Sequence, residues 1–486
     1  MEKVGFDNKK YLEMQSAKIL ERIEMFGDKL YLEFGGKLFD DYHASRVLPG
    51  FEPDSKIKML SQLKDKAEML IVINANDIEK NKQRSDLGIT YDLDVLRLID
   101  IFLDKGFYVG SVVLTRFAEQ PSAVAFQKRL EHRGIKVYRH YPIEGYPSEV
   151  EKIVSEDGYG KNEYVVTTRP LVVVTAPGPG SGKMATCLSQ LYHENKRGVK
   201  AGYAKYETFP VWNLPLNHPV NAAYEAATAD LNDMNMIDPF HLEAYGVMAV
   251  NYNRDVEIFP VLSAMLEKVL GKSPYKSPTD MGVNMAGYCV VDDQVTREAS
   301  KQEILRRYYA AQLDVRKGVI GKEVTSKIEI LMQRMSISIN DRAVVKPALV
   351  KEQLTGGPCC ALQLTDGRIV TGKTGNLLGA SAAALLNALK ALGDIDDAVE
   401  LISSKVIEPI QKLKVKHMGS INPRLHTDEV LISLAVSAAT DKTAKVAMNQ
   451  LSKLKGAQFH SSVILSSVDE MTLKKLGINV TCEPKR

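Results

Sequence analysis

The sequence predicts an α/β protein, with Rossmann-like doubly wound parallel sheets, a P-loop-like unit and a smaller C-terminal α+β domain. Three observations carry this expectation. Continuous apolar runs at Met69–Asn74 (MLIVIN), Tyr108–Thr115 (YVGSVVLT) and Pro170–Thr175 (PLVVVT) have the composition of parallel strands covered on both faces. Helical patterns over 92–105 and 123–133 alternate with the first two runs. From about Ala343 the pattern changes, with two short apolar segments flanking Asp366-Gly367, a strong hairpin signal, and a series of helices after them.

The elements divide into three expected domains, 1–168, 169–342 and 343–486. In the first, residues 8–25 have helix spacing, Lys29–Phe34 (KLYLEF) is a short strand ending in Gly35-Gly36, and Lys136–Arg139 is a further strand. The second opens on Pro170–Thr175, passes through a glycine-rich turn into a helix reaching about Lys196, and continues into a strand at 201–204. Residues 200–245 are rich in Pro, Asn and aromatics, a long connection of the kind that carries function. Helices are expected at Val220–Leu231, 256–270 and 297–336. In the third domain the patterns predict helices at 379–392, 395–411, 427–436, 442–453 and 468–475, and a strand at Val463–Leu465.

Charge and cysteine usage narrow the class. The 486 residues include 63 Lys and Arg against 60 Asp and Glu, a net +3, too balanced for nucleic acid or an anionic membrane as main partner. Five cysteines without a CxxC pair argue against a disulfide framework and a structural zinc site. There is no apolar run of about 18 residues to span a membrane. The opening MEKVGFDNKKYLE lacks the apolar core of a signal peptide, so the expected location is cytoplasmic.

The segment with most chemical content runs from Val172 to Thr186 (VVVTAPGPGSGKMAT). A β-branched strand feeds a glycine-rich turn, and a helix follows at once. Gly178, Gly180 and Gly182 let backbone amides converge on an anion, and the helix start adds unpaired N–H groups and a positive dipole end. Ser181, Lys183 and Thr186 complete the phosphate-binding candidates, Lys183 supplying a full positive charge. The pattern departs from GxxxxGK[ST]: Pro177 stands at the first glycine and Met184 at the last position, where a hydroxyl would ligate Mg²⁺. A tight strand-to-helix turn with a solvated lysine is the plainer alternative.

Other candidates lie at predicted strand ends, where open α/β sheets bind ligands. Lys205 and Glu207 follow the strand at 201–204 and are candidate catalytic groups. Gly35, Gly36 and Lys37 offer a second anion nest. Asp41 beside His43 could form an acid–base pair, the carboxylate tuning the imidazole; a helix cap and a surface histidine are the alternative. Asp230, Asp233 and Asp238 are candidate metal ligands. A second GK-type turn at Thr371–Asn376 reads more simply as a helix cap. No HExxH or GxSxG motif is present.

Four separated blocks, LEFGGKLFDDYHASRVLPGF, VVVTAPGPGSGKMATCLSQLYHE, HPVNAAYEAATADLNDMNMIDPFHLEAYG and LGINVTCEP, together resemble the uncharacterised bacterial family known as domain of unknown function 1846. The resemblance covers essentially the whole chain. It implies a bacterial cytoplasmic protein with a P-loop-like core and a distinct C-terminal domain, and makes Pro177 and Met184 traits of the family. It lends no catalytic residues.

These readings make the expected partner a phosphate-containing small molecule. Phosphoryl transfer or ATP-dependent ligation with ATP and Mg²⁺ is the leading expectation, since such chemistry is mostly positioning and charge stabilisation. The alternatives are an enzyme acting on a phosphorylated metabolite without ATP, and a nucleotide-binding sensor. A homo-oligomer is expected from the Ala-rich helix at 379–392.

Overall fold

A computed structural model describes residues 4–84 and 88–485. Two compact units are present, one formed by residues 4–225 and Asn232–Ser300, the other by Ala226–Leu231 and residues 301–485.

The first unit is built on a seven-stranded, wholly parallel sheet. From one edge to the other its strands are Gly282–Val283, Ala201–Tyr206, Lys29–Phe34, Leu171–Thr175, Ala67–Asn74, Tyr108–Thr115 and Lys136–Arg139. The apolar runs read from sequence all belong to it. Their alternate residues fill two separate cores. Leu30, Leu32, Met69, Ile71, Val112 and Leu114 face one side. Tyr31, Leu70, Val72, Val113, Val172 and Val174 face the other, against Cys187, Leu188 and Leu191 of the helix Lys183–Lys196 and Phe259, Leu262 and Met265 of the helix Asn253–Leu270. A strand buried on both faces has no polar side to display, so the sequence shows no alternation.

The boundary expected at 168/169 does not separate two sheets. Leu171–Thr175 enters the same sheet between Lys29–Phe34 and Ala67–Asn74, and Ala201–Tyr206 adds on the far side of Lys29–Phe34. Local pattern marks where strands lie but not which neighbours they choose. The chain therefore reverses its direction of travel across the sheet at Leu171–Thr175, the kind of switch point beside which open α/β sheets hold ligands.

The second unit carries a four-stranded mixed sheet in the order Ile369–Lys373, Cys359–Gln363, Gln458–Ser461, Asn479–Cys482. The first two form the expected hairpin, with Gly367 left-handed at φ +92°. The strand expected at Val463–Leu465 is instead Gln458–Ser461, paired with Cys360–Gln363, and Asn479–Cys482 has no counterpart among the expectations. The expected helix at 395–411 is Ser404–Lys416, started where Ser403 accepts from the Lys405 amide. The single helix expected over 297–336 is two, Asp293–Arg316 and Lys322–Arg334, separated around Gly318 at φ +73°. The Thr374 amide and hydroxyl both donate to the Pro358 carbonyl, and Gly379 rather than Thr374 or Asn376 caps the following helix.

That helix, Ala380–Leu392, lies in the core of the unit: Ala380, Ala382, Ala384, Leu385, Ala388 and Leu389 are all buried. Its alanines let the hairpin approach closely, because a Cβ on Gly372 would stand 2.2 Å from the Ala384 amide nitrogen. The small-residue face that prompted the expectation of an oligomer is thus spent inside the unit. Gly372→Ala is expected to lower the unfolding free energy of the full chain by about 1–3 kcal/mol, the usual cost of overpacking a dense core. Denaturant unfolding followed by circular dichroism checks this; unchanged stability would mean the helix and hairpin do not pack as described.

Candidate functional site

The C-terminal ends of the central strands gather most of the candidate residues. The turn after Thr175 is held by the two strands beyond it. The Thr115 hydroxyl donates to the Ser181 carbonyl at 2.6 Å and the Asn74 side-chain amide to the Gly180 carbonyl at 3.4 Å. Within the turn, the Ser181 hydroxyl donates to the Gly178 carbonyl at 2.8 Å. Three carbonyls are thereby turned into the protein.

The amides are not used in the same way. Among the described residues, the N–H groups of Gly178, Gly180, Ser181, Gly182, Lys183, Met184 and Ala185 donate to no protein acceptor; the first helical bond is Thr186 N–H to the Gly182 carbonyl at 3.0 Å. Gly182 is the helix N-cap, in the left-handed region at φ +93°, and a Cβ there would lie 3.0 Å from the Thr115 methyl. Gly180 is also left-handed, at φ +75°. Only glycine gives this path without strain. Lys183 is half-buried at the first helical position and forms no ion pair among the described residues. The result is a concentration of unpaired donors and positive charge, the electrostatics of an anion site.

Met184 packs against the apolar core shared with Val174 and Leu188. Thr186 is fully buried, with a hydroxyl that has no hydrogen-bond partner. Neither presents an oxygen at the place where a P-loop hydroxyl ligates Mg²⁺.

Beside the turn lies a charged centre. The register aligns Val174, Glu33 and Lys205 across three adjacent strands, so the three side chains share a sheet face. The Lys205 amine bonds Glu207 at 2.6 Å and also pairs with Asp255, which stands in the first turn of the helix Asn253–Leu270. The side chains of Lys205, Glu207 and Asp255 retain 18%, 13% and 13% of their exposure, so they are largely buried but not sealed. Glu33 accepts from the Tyr203 hydroxyl at 2.6 Å. One ammonium therefore serves several carboxylates. Burial pulls the Lys205 pKa down, but Asp255, Glu207 and Glu33 outweigh it and hold the amine well above its ordinary value. Burial pushes Glu207 up to about 7 against the pull of Lys205, and the Asp255 charge adds to the rise. Lys205 is shared between the two carboxyls, and burial brings the Glu207 pKa toward neutrality.

The remaining candidates fall elsewhere. The Gly35 amide is taken by the Tyr206 carbonyl at 3.0 Å, while Gly36 turns left-handed at φ +70° and Lys37 is exposed. Asp41 caps the helix Tyr42–Val47 through the Ala44 amide and pairs with buried Lys56 at 2.7 Å. His43 packs edge-on against Phe209 and Tyr224. The three aspartates considered as metal ligands do not converge. Asp238 caps the helix Pro239–Tyr245 and accepts from the Thr279 hydroxyl at 2.6 Å, Asp233 pairs with Arg254 at 3.1 Å, and Asp230 is exposed. Among the described residues no group of three or more His, Cys, Asp or Glu is placed to hold a metal ion. No helix among them is long and apolar enough to cross a membrane.

Sequence reasoning missed Thr115, Tyr252 and Asp255. Thr115 ends an apolar strand like any other threonine, and an aspartate in a first helical turn is an ordinary dipole partner. Strand pairing brings Thr115 to Ser181, and packing of the helix Asn253–Leu270, capped by Tyr252, brings Asp255 to Lys205.

Two outcomes follow from the charged centre. Lys205→Met leaves buried carboxylates without their counter-charge and is expected to destabilise the protein by about 3–5 kcal/mol, measured by denaturant unfolding. Glu207, raised in the folded state, binds a proton there that the unfolded chain releases at lower pH. Its contribution is therefore fully present below its ordinary value and is lost as pH rises to about 7. Glu207→Gln is expected to flatten the fall in stability over that window; identical pH profiles for variant and parent would contradict the assignment.

Family models match both parts of the chain, Domain of unknown function DUF1846, N-terminal, over residues 4–336 and Domain of unknown function DUF1846, C-terminal, over residues 340–486. A UPF0371 protein of Streptococcus thermophilus (strain CNRZ 1066) is 57% identical over 484 residues, covering 100% of this chain and 98% of the relative. A UPF0371 protein of Streptococcus pneumoniae serotype 19F (strain G54) is similar to the same degree, 57% identical with the same coverage. The turn, the charged centre and the second unit thus all lie within matched sequence, and the chain belongs to the family described as domain of unknown function DUF1846.

Proposed function

We propose that the protein is an enzyme acting on a phosphorylated small molecule, with the substrate phosphate held by the turn at 175–186 and a proton transferred by Glu207. The observation that carries this reading is the run of amides from Gly178 to Ala185 with no protein acceptor, next to Lys183 with no ion pair. A dianionic phosphate accepts several N–H bonds at once and gains from the helix dipole and the ammonium. Glu207 supports catalysis rather than passive binding, because a carboxyl poised near neutral pH is suited to general acid–base work. Lys205 holds it in place, and Gly35, whose Cβ would meet the Tyr206 carbonyl at 2.8 Å, lets the neighbouring backbone close against it.

Phosphoryl transfer or ATP-dependent ligation is the second reading, supported by the order of strand, glycine turn, lysine and helix. The residues present do not fit Mg²⁺ in the usual way. Mg²⁺ takes oxygen ligands, Met184 offers a thioether turned into the core, and Asp230, Asp233 and Asp238 are engaged or apart. The reading without ATP needs no such ligand and is preferred.

Isothermal titration calorimetry with orthophosphate, a simple phosphate ester, and ATP with and without Mg²⁺ tests the proposal. Orthophosphate is expected to bind. Lys183→Ala is expected to weaken it roughly 10- to 100-fold, the worth of a charge-assisted contact of about 1.5–3 kcal/mol, with little change in stability. Affinity unchanged in the variant would remove the turn from the site, and tight binding confined to Mg²⁺-ATP would favour the second reading.

A further inference from the structure

The charged centre contains a group that neither the fold nor the phosphate site requires. Tyr252 is 5% exposed, and its hydroxyl has no hydrogen-bond partner. It ends the short strand Val250–Tyr252 and caps the helix that carries Asp255. Its ring stacks on Tyr224 at 5.6 Å, and Tyr224 stacks on Phe209 at 5.0 Å, which fixes its position. The phenol lies in the field of the Glu207, Asp233 and Asp255 carboxylates. A buried hydroxyl left without a partner is costly, and this one stands beside the charged centre.

The groups around it define what that partner must be. Lys205 engages Oε1 of Glu207 and Oδ2 of Asp255, and Tyr203 engages Oε2 of Glu33. Glu207 and Asp255 are also hydrogen-bonded to each other, which leaves the Tyr252 hydroxyl as the group without a partner. The Tyr252 hydroxyl is both donor and acceptor, while the Glu207 proton is shared with Asp255. A second anionic group would be repelled by Glu33, Glu207 and Asp255. An ammonium would be crowded by the Lys205 ammonium that already holds Glu207 and Asp255. Hydroxyl groups, each both donor and acceptor and without charge, meet neither objection. Strand spacing places Glu33 about 5 Å and Lys205 about 10 Å from the strand that feeds the turn, comparable to the length of a phosphorylated sugar.

We infer that Tyr252, Glu207, Asp255 and Glu33 form the subsite for the hydroxylated part of a sugar phosphate whose phosphate sits on the turn at 175–186. This rests on the phosphate reading above and names the substrate class for it. Glu207, in contact with a substrate hydroxyl, then gives or takes that hydroxyl's proton, while Tyr252 fixes the neighbouring oxygen.

Calorimetric titration of the full chain with orthophosphate, n-butyl phosphate and a panel of pentose and hexose phosphates tests this. At least one sugar phosphate is expected to bind tenfold or more tightly than n-butyl phosphate. Tyr252→Phe, which keeps the ring stack, and Glu207→Gln are each expected to erase most of that margin while leaving orthophosphate affinity as it was. Sugar phosphates no tighter than n-butyl phosphate, with Lys183-dependent orthophosphate binding intact, would overturn the subsite alone. Equal losses for all ligands in Tyr252→Phe would also overturn it, as a general disturbance of the site. Absence of any orthophosphate binding would overturn the phosphate reading itself.

Discussion

A strand enclosed on both faces and both edges can release its chain only at its ends, and the structure turns on how Leu171–Thr175 does so. Its neighbours Lys29–Phe34 and Ala67–Asn74 consume its ladder bonds, and two apolar cores cover its sides. The chain leaving it has to climb out of the sheet and re-enter as a helix within a few residues. Gly180 and Gly182 make that path possible, and Thr115 and Asn74 hold its carbonyls inward. Once the carbonyls are committed to the protein, the amides are left facing outward. The concentration of unpaired donors at the turn, on which the phosphate proposal rests, follows from this geometry.

The charged centre next to the turn obeys a related constraint. Ionised groups largely withdrawn from water are tolerated only when paired. Lys205 is tied to Asp255 and Glu207 at the end of the strand Ala201–Tyr206, two strands from Leu171–Thr175, and burial raises the Glu207 pKa. A net positive turn and a net acidic centre then lie side by side along the edge of one sheet. Such an arrangement favours a ligand that is anionic at one end and neutral but hydrogen-bonding at the other.

Much of the fold was legible because it rests on local signals. The strand Tyr108–Thr115 and the strand Lys136–Arg139 appear where their composition places them, and the glycine turn announces the strand and helix on either side. What local pattern could not reveal was partnership. Nothing in PLVVVT says that it will insert between two earlier strands, so a domain boundary was read where the sheet is continuous. The same limit applies to the site. Lys205 and Glu207 could be singled out by their place after a strand, but Asp255 and Tyr252, some fifty residues on, meet them only through tertiary packing. Asp41 and Asp238 illustrate the converse: an aspartate before a helix is as readily a cap as a ligand, and both are caps here.

The account stands on anion capture by the turn, and direct localisation of an anion is its most direct test. Crystals of the protein soaked in tungstate, a tetrahedral oxyanion of high scattering power, would be read by anomalous diffraction. The account predicts a peak within hydrogen-bonding distance of the amides between Gly180 and Met184, with the Lys183 amine turned toward it. Tungstate bound only elsewhere, with those amides engaged by the chain itself, would contradict it.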